Sequence, residues 1–181
     1  MAKTVRKWFW VWNEDKEKDF LEDMALKGLR LVKVGFGEYI FEEDEPKKMI
    51  YQFDFKGIGK MKEGEYLQIY EDAGWKFMSR FGSWYYFARE WNEEELDLSL
   101  FSNNESKRAK IKRILLFLLI TGIPLYYQTI IMFPIMSGEK FEYPSFYFFF
   151  RIIIAVIAVF HVLAVVKIIN MYRKLKNPIT E

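Results

Sequence analysis

The sequence predicts an α+β protein in which a β-α-β-β unit occurs twice and is followed by a hairpin of two transmembrane helices. Three observations support this prediction: an internal repeat in the first half, two long apolar runs in the second half, and a change in the sign of the charge between them. Residues 1–106 contain 16 Lys and Arg against 22 Asp and Glu, a net charge of −6, whereas residues 107–181 contain 11 against 3, a net charge of +8. The basic charge therefore flanks the apolar runs, where anionic lipid is its natural partner.

The internal repeat is an ungapped similarity at an offset of 46 residues between Phe20–Phe41 and Tyr66–Phe87. Self-similarity at a fixed offset is typical of a duplicated structural unit. We therefore interpret residues 1–98 as a cytoplasmic domain built from two copies of one unit. The matched positions are Leu21 with Leu67, Met24 with Tyr70, Gly28 with Gly74, Leu31 with Phe77, Tyr39 with Tyr85 and Phe41 with Phe87.

The first copy begins with an aromatic strand over Val5–Trp12, whose residues favour β structure. Asn13 is a candidate N-cap, and the acidic Glu14 and Asp15 favour the start of a helix because they complement its dipole. Gly28 ends that helix as a left-handed cap. A hairpin of two strands follows, over Leu29–Val34 and Glu38–Glu42.

The second copy begins with a strand over Met49–Phe55. Its helix runs from about Lys62 to Ala73, and Gly74 ends it. The last two strands cover Trp75–Arg80 and Trp84–Arg89. Six strands and two helices predict one open, six-stranded, mostly antiparallel sheet with both helices on one face.

Alternation along the first strand of each copy predicts an aromatic surface. Side chains point to opposite faces at successive positions, so we place Phe9, Val11, Tyr51 and Phe53 on the helix side. The uncovered face then carries the predicted binding residues Trp8, Trp10, Trp12, Gln52 and Asp54. An exposed face with three tryptophans indicates that this surface binds a ligand, a partner, a second copy of the domain or the membrane surface. Asp54 could hold a cation beside the rings; an exposed strand aspartate is the alternative.

Two apolar runs predict the membrane hairpin. Ile114–Phe133 is 20 residues without a charge, which is the length needed to cross a bilayer, and Pro124 within it predicts a kink. The second run carries Arg151 near one end and His161 inside. We assign residues 99–113 to a basic linker, 114–136 and 146–168 to the transmembrane helices, 137–145 to an external loop and 169–181 to a cytoplasmic tail.

Basic residues on both flanks of the hairpin predict a cell-membrane protein with both termini in the cytoplasm. We expect the linker to contact lipid head groups rather than nucleic acid, because the preceding domain is net negative. The linker residues are Lys107, Arg108, Lys110, Lys112 and Arg113, and the later flank contains Lys167, Arg173, Lys174 and Lys176.

The composition excludes several kinds of chemistry. The chain has no cysteine and one histidine, His161, which lies in a predicted span. Thiol catalysis, cysteine-based metal sites and a Ser-His-Asp triad in the soluble domain are therefore excluded. We predict no catalytic residues, metal or cofactor, and hence no enzyme activity.

Several segments together resemble the bacterial family of proteins with the domain of unknown function DUF2812, over residues 4 to about 113. The resemblance implies a Gram-positive-type membrane protein, often encoded near PadR-like repressors, with no assigned catalytic residues. The segments that carry it are Arg6-Lys7-Trp8-Phe9-Trp10, Met24-Ala25-Leu26-Lys27-Gly28-Leu29, Gly37-Glu38-Tyr39-Ile40-Phe41-Glu42, Tyr51-Gln52-Phe53-Asp54-Phe55, Gly74-Trp75 with Trp84-Tyr85-Tyr86-Phe87, and Phe101-Ser102-Asn103-Asn104-Glu105-Ser106-Lys107.

The duplicated unit also resembles gyrase-inhibitor-like and SOUL-type domains, in fold only. That likeness implies a groove at a pseudo-twofold axis, where several such domains bind small cationic or aromatic molecules. Two functions are expected from these observations. The first is a membrane-anchored, non-catalytic module that binds a small amphipathic or cationic ligand or a partner on its aromatic face. The alternative is an accessory subunit of a membrane transporter or a PadR-type regulator system, with the same face as a protein interface.

Overall fold

Two copies of the strand–helix–strand–strand order make up the first part of the chain. The structure, a computed structural model, describes residues 2–59, 61–92, 104–136 and 144–176. It divides the chain into two units, Met1–Lys110 and Ile111–Glu181. The elements of the first copy are β1 (Ala2–Arg6), a 3-10 helix (Val11–Asn13), α1 (Glu14–Leu26), β2 (Leu29–Gly35) and β3 (Glu38–Glu43). Those of the second copy are β4 (Met49–Phe55), α2 (Glu63–Asp72), β5 (Lys76–Phe81) and β6 (Trp84–Glu90).

The six strands form two antiparallel sheets of three, in the orders β1-β3-β2 and β4-β6-β5. The α+β class and the six antiparallel strands predicted from the sequence are confirmed, but the strands do not join into one ladder. The sheets meet where β2 lies beside β5, and there the backbone N–H of Val34 donates to the Ser79 hydroxyl at 3.0 Å. A side chain thus replaces the backbone pairing that would have made a single sheet.

The repeat is visible in an irregularity that both copies share. The register of β2 against β3 shifts between Leu31 and Lys33, and that of β5 against β6 shifts between Phe77 and Ser79. These positions are 46 residues apart, which is the offset of the sequence repeat. A β-bulge places two residues opposite one and bends its strand, so both hairpins bend at the equivalent position.

Helix α1 lies between the inner faces of the two sheets. Its buried residues Phe20 and Leu21 share one core with Phe41 of the first sheet and with Tyr51 and Tyr86 of the second. Helix α2 packs on the other face of the second sheet, in a core formed by Ile50, Tyr66, Trp75, Tyr85 and Phe87. The second sheet is therefore covered on both faces, because α1 and α2 lie on opposite sides of it rather than together.

Strand β1 is shorter than the sequence predicts, and the expected strand Val5–Trp12 is wrong over most of its length. Its partner β3 starts at Glu38, opposite Arg6, and the last bond between them runs from the Lys7 N–H to the Gly37 carbonyl at 3.0 Å. Beyond that point the partner strand has turned away, so the chain leaves the sheet. Alternation therefore does not assign the faces of Trp8, Trp10 and Trp12.

The second unit contains two helices that are long and apolar enough to cross a membrane. Helix α3 (Asn104–Tyr126) begins before this unit and continues through a π-helical segment (Tyr127–Met132) into α4 (Phe133–Ile135). Helix α5 covers Pro144–Lys176. The candidate spans are Glu105–Ile135 and Ser145–Lys176, and an 18-residue stretch within each has a mean hydropathy of 1.9 and 2.9, respectively. Most of the predicted external loop, residues 137–143, lies outside the described residues, as do residues 177–181 of the predicted tail.

Candidate functional site

The three predicted tryptophans stack on one another before α1. The rings of Trp10 and Trp12 are parallel, with centroids 5.1 Å apart, and Trp8 meets Trp10 edge to face at 5.7 Å. Trp8 also packs on Phe36 at 4.8 Å. Trp8 and Trp10 remain about half exposed. The structure therefore brings the tryptophans together, but in the connection after β1 rather than on a sheet face.

Asp54 lies elsewhere, fully buried beneath α2. Both Tyr66 and Tyr70 donate hydroxyl hydrogen bonds to its Oδ2 at 2.7 Å. Burial, and then the negative charge of Asp54, raise the pKa of Tyr66 well above its ordinary value, so this phenol stays a donor. The half-buried Gln52 is two residues away on the same strand. The predicted site is thus divided between an exposed tryptophan cluster and a buried acid on the α2 side of the second sheet.

A cleft lies where the two copies meet, and we call it the inter-repeat cleft. Its volume is about 270 Å³. An apolar floor carries two methionines and the Tyr51 ring, and a charged rim surrounds it. The floor residues are Ala25, Leu29, Met49, Tyr51, Met78 and Ala88, with Gly74 beside them. The rim residues are Arg30, Asp44, Glu45, Lys47, Lys76, Arg89 and Glu90.

Equivalent residues of the two copies face each other in this cleft. Arg30 matches Lys76 and Asp44 matches Glu90 at the offset of 46, and all four line it. The matched glycines differ in their surroundings, although both have a positive φ. A Cβ on Gly28 would lie 2.7 Å from the Asp44 carbonyl oxygen, whereas a Cβ on Gly74 would meet open space. The cleft is therefore lined by equivalent positions from both copies and extends further on the side of the second copy.

Ion pairs fix much of the charged rim. Arg30 bonds Glu42 at 2.8 Å and lies 3.6 Å from Asp44, and Lys47 lies 3.5 Å from Glu90. On the floor, burial raises the pKa of Tyr51 to about 12, so its hydroxyl remains protonated at neutral pH. A surface with an apolar base and a rim of both charge signs suits an amphipathic molecule.

A second polar cluster is buried at the start of α1. Glu17 accepts hydrogen bonds from Tyr39 at 2.6 Å and from Tyr86 at 2.9 Å. Glu14 pairs with Lys18 at 2.9 Å and with Lys110 at 2.7 Å, and Lys110 also donates to the Phe53 carbonyl at 3.1 Å. A cavity of about 60 Å³ adjoins these acids. Each tyrosine–glutamate contact joins α1 to a central strand, one in each sheet.

The two glutamates have opposite pKa shifts. Burial raises the pKa of Glu17 above its ordinary value, although the two tyrosine hydroxyls act in the other direction. Burial also acts to raise the pKa of Glu14, but Lys110 and Lys18 outweigh it and hold that pKa below its ordinary value. Lys110 was predicted to contact lipid and instead lies buried against Glu14. For Lys107, Arg108, Lys112 and Arg113, lipid contact stays a prediction.

Sequence reasoning missed the glutamate cluster and the residues that line the cleft, yet a signal was present. Extending the repeat by three residues at either end matches Glu17 with Glu63 and Asp44 with Glu90. Glu63 indeed repeats the contact of Glu17, because it accepts a hydrogen bond from Tyr85 at 3.1 Å. Acidic residues that match between the two copies therefore indicate equivalent buried, half-buried or cleft-lining positions. A hydropathy pattern alone would assign such residues to the solvent-exposed surface.

In the second unit, His161 bridges the two long helices. Its Nε2 lies 2.9 Å from the Leu118 carbonyl oxygen and its Nδ1 lies 2.8 Å from the Tyr126 hydroxyl. The carbonyl can only accept, so Nε2 carries the proton and Nδ1 accepts from Tyr126 in the neutral ring. A Cβ on Gly122 would lie 2.9 Å from the imidazole Cε1, and the glycine thus makes room for the ring.

Comparison with known proteins agrees with the resemblance drawn from the sequence. The model of the family DUF2812, a protein of unknown function, matches residues 13–123. No curated protein and no solved structure matches the chain, so the likeness to gyrase-inhibitor-like and SOUL-type folds stays a prediction. The match starts at Asn13, after the three clustered tryptophans, and ends within α3. Because it covers more than half of the sequence, including α1, α2 and five of the six strands, the chain belongs to the DUF2812 family.

Proposed function

We propose that this protein is a membrane-anchored, non-catalytic sensor module that binds a small amphipathic molecule in the inter-repeat cleft. The observation that carries the proposal is the cleft itself, with its apolar floor and its rim of both charge signs at the junction of the two copies. Clefts that bind small ligands are typically concave and mostly apolar, with a few placed polar groups. Its volume of about 270 Å³ limits the ligand to a small one.

The composition of the floor favours an alkyl or aromatic tail. Met49 and Met78 are flexible and polarisable, and such side chains adapt to tails of different shape. The rim then offers a partner for a head group of either sign. Lys76 is exposed on this rim and is the equivalent of Arg30 in the second copy, so we expect it to contact an anionic head group directly.

Two candidate spans support the anchoring part of the proposal. Both are long and apolar enough to cross a bilayer, and the basic residues that flank them favour a topology with both termini in the cytoplasm. In that topology the cleft samples the cytoplasm beside the membrane. Amphipathic molecules that cross the bilayer concentrate in the cytoplasm next to it. A sensor in this position would therefore meet them at their highest concentration.

The experiment uses the full chain in nanodiscs, titrated by calorimetry with hexanoate and with hexyltrimethylammonium. These probes share a tail and differ in the sign of the head group, and empty nanodiscs give the background. We expect saturable binding of at least one probe. Met78→Trp fills the floor and should weaken binding at least tenfold, whereas Met61→Trp, at an exposed position outside the cleft, should leave it unchanged.

A charge reversal tests whether the charged rim of the inter-repeat cleft contacts the head group of the ligand. Lys76→Glu should shift the preference from the anionic toward the cationic probe, and Lys33→Glu, exposed on β2 and outside the cleft, should not. If neither probe binds saturably, or if Met78→Trp binds as the parent does, the ligand-binding proposal is wrong.

A further inference from the structure

Four aromatic side chains form a continuous exposed surface, which we call the aromatic rim. Trp8, Trp10, Phe36 and Phe81 are 49%, 43%, 77% and 40% exposed. Trp8 contacts both Trp10 and Phe36, and Phe36 lies 6.5 Å from Phe81 between ring centroids. The contacts join them into one patch, whereas single exposed aromatics would need no explanation. None of the four lines the inter-repeat cleft.

The aromatic rim projects from the ends of strands. Trp8 and Trp10 follow the end of β1, Phe36 is at the turn between β2 and β3, and Phe81 ends β5. Gly37 has a positive φ and lets the turn pass close to Trp8, because a Cβ there would lie 3.3 Å from the indole. Turns and strand ends make a projecting surface, which suits insertion into a soft surface better than capture of a small ligand.

Charge near the aromatic rim is opposite in sign to the charge of its domain. Residues 5–13, 33–39 and 78–84 contain four basic side chains and one acid, Glu38, although residues 1–106 are net negative. Glu38 lies 3.9 Å from Arg6, and Glu63 at the start of α2 lies 2.8 Å from Arg80, so Lys7 and Lys33 supply the net basic charge. The basic side chains are Arg6, Lys7, Lys33 and Arg80. A local excess of basic charge beside exposed aromatic rings is typical of surfaces that enter the head-group layer of an anionic membrane.

We propose that the aromatic rim docks on the interface of an anionic phospholipid bilayer, with Trp8, Trp10 and Phe36 inserted at the level of the head groups. The candidate spans favour lipid as the occupant, since they belong to the same chain and so raise the effective concentration of a bilayer for this unit. Tryptophan prefers this depth because its ring is apolar and its N–H is polar. This inference concerns a surface separate from the cleft and does not depend on ligand binding there.

All six tryptophans lie within residues 8–91, so tryptophan emission reports on this unit alone. The test compares the full chain in phosphatidylglycerol-containing nanodiscs made with ordinary lipid or with lipid brominated near the head group. Two of the six tryptophans belong to the aromatic rim, and we expect bromination to quench roughly a third of the emission. Discs of phosphatidylcholine alone should give less quenching.

Phe36→Asp provides the matched variant, because it removes the most exposed ring and retains every tryptophan. Quenching should fall to background in this variant and should persist in Ile58→Asp, which places the same charge at another exposed apolar position. Equal emission in ordinary and brominated discs would overturn the proposal, and so would full quenching of Phe36→Asp. Loss of quenching together with stable dimers or a co-purified protein would assign the surface to that partner instead.

Discussion

Two glutamates one turn apart on α1 illustrate how position sets the behaviour of a single side chain. Glu14 faces two lysines, and its pKa is lowered, whereas Glu17 faces two tyrosine hydroxyls and its pKa is raised by burial. A raised carboxyl pKa means that the folded state binds a proton more tightly than the unfolded state does. Its contribution to stability is therefore lost as the pH rises from the ordinary value of 4.5 through the raised value.

We therefore expect Glu17→Gln to remove part of the pH dependence of stability. The amide keeps an oxygen that accepts from Tyr39 and Tyr86 but cannot ionise. The free energy of unfolding of the parent should fall relative to this variant as the pH rises above 4.5. Urea unfolding of the full chain in detergent, followed by tryptophan fluorescence, measures the difference at each pH. Glu65→Gln, at an exposed position on α2, should show no such change, and parallel pH profiles for parent and Glu17→Gln would contradict the assignment.

Sequence reasoning at the residue scale succeeded for backbone signals and failed for buried polar groups. Gly28 and Gly74 were predicted to end the helices, and both have a positive φ after α1 and α2. Asp54 was placed beside the tryptophans because alternation assigns it a side of β4. Alternation does not say which helix covers that side, and the position of α2 depends on the packing of the whole unit.

At the scale of elements, the junction of β2 and β5 depends on a side chain. The Ser79 hydroxyl is the acceptor for the buried N–H of Val34. We expect Ser79→Ala to lower the free energy of unfolding by about 1–3 kcal/mol, since a buried N–H loses its partner. Ser83→Ala in the turn after β5 provides the control and should change stability little. Chemical denaturation measures both, and equal stabilities for the two variants would show that the junction does not need this bond.

The contact between α3 and α5 gives a second prediction at this scale. His161→Leu removes two hydrogen bonds, and Gly122→Ala places a methyl group where the imidazole lies. His161→Leu should weaken the pairing of these helices by about 0.6–1.7 kcal/mol for each hydrogen bond lost, and Gly122→Ala should also weaken it because the imidazole must move. The chain has no cysteine, so fluorophores attached to cysteines introduced at positions 112 and 172 can report helix separation during titration with a denaturing detergent. Adding Tyr126→Phe to the His161→Leu variant should weaken the helix pairing no further, because the bond between the two side chains is already lost. If the losses of the two single variants add in the double variant, the two side chains are not directly bonded.

The limits of strands and helices were largely predictable, and their assembly was not. The bounds of β4 match the sequence prediction, and β2, β3, β5, β6 and α2 agree within one residue at each end. Local periodicity and glycine positions contain that information. The division into two sheets depends on α1, which has buried residues against both, and hydropathy cannot distinguish one covered sheet from two. The shortening of β1 likewise depends on where its distant partner β3 begins.

At the scale of the whole first unit, the shared core predicts a single unfolding transition. Residues of both copies surround α1, so neither copy retains a complete core without the other. Leu21→Ala in the first copy and Phe87→Ala in the second should each remove about 2–5 kcal/mol and shift the same midpoint. Fluorotryptophan labelling gives a separate ¹⁹F signal for each of the six tryptophans, of which three belong to each copy. All six native signals should disappear at one urea concentration, and two midpoints would contradict a shared core.

The buried acid beneath α2 and its two tyrosine donors occupy positions that are apolar in the first copy. Strand register and the repeat match Asp54, Tyr66 and Tyr70 with Val5, Phe20 and Met24, an apolar trio in the first copy. Changing one member alone would bury a carboxylate with fewer donors or a phenol without an acceptor, and each costs stability. Substitutions at these three positions should therefore be inherited together, so that related chains have either the polar or the apolar set and rarely a mixture.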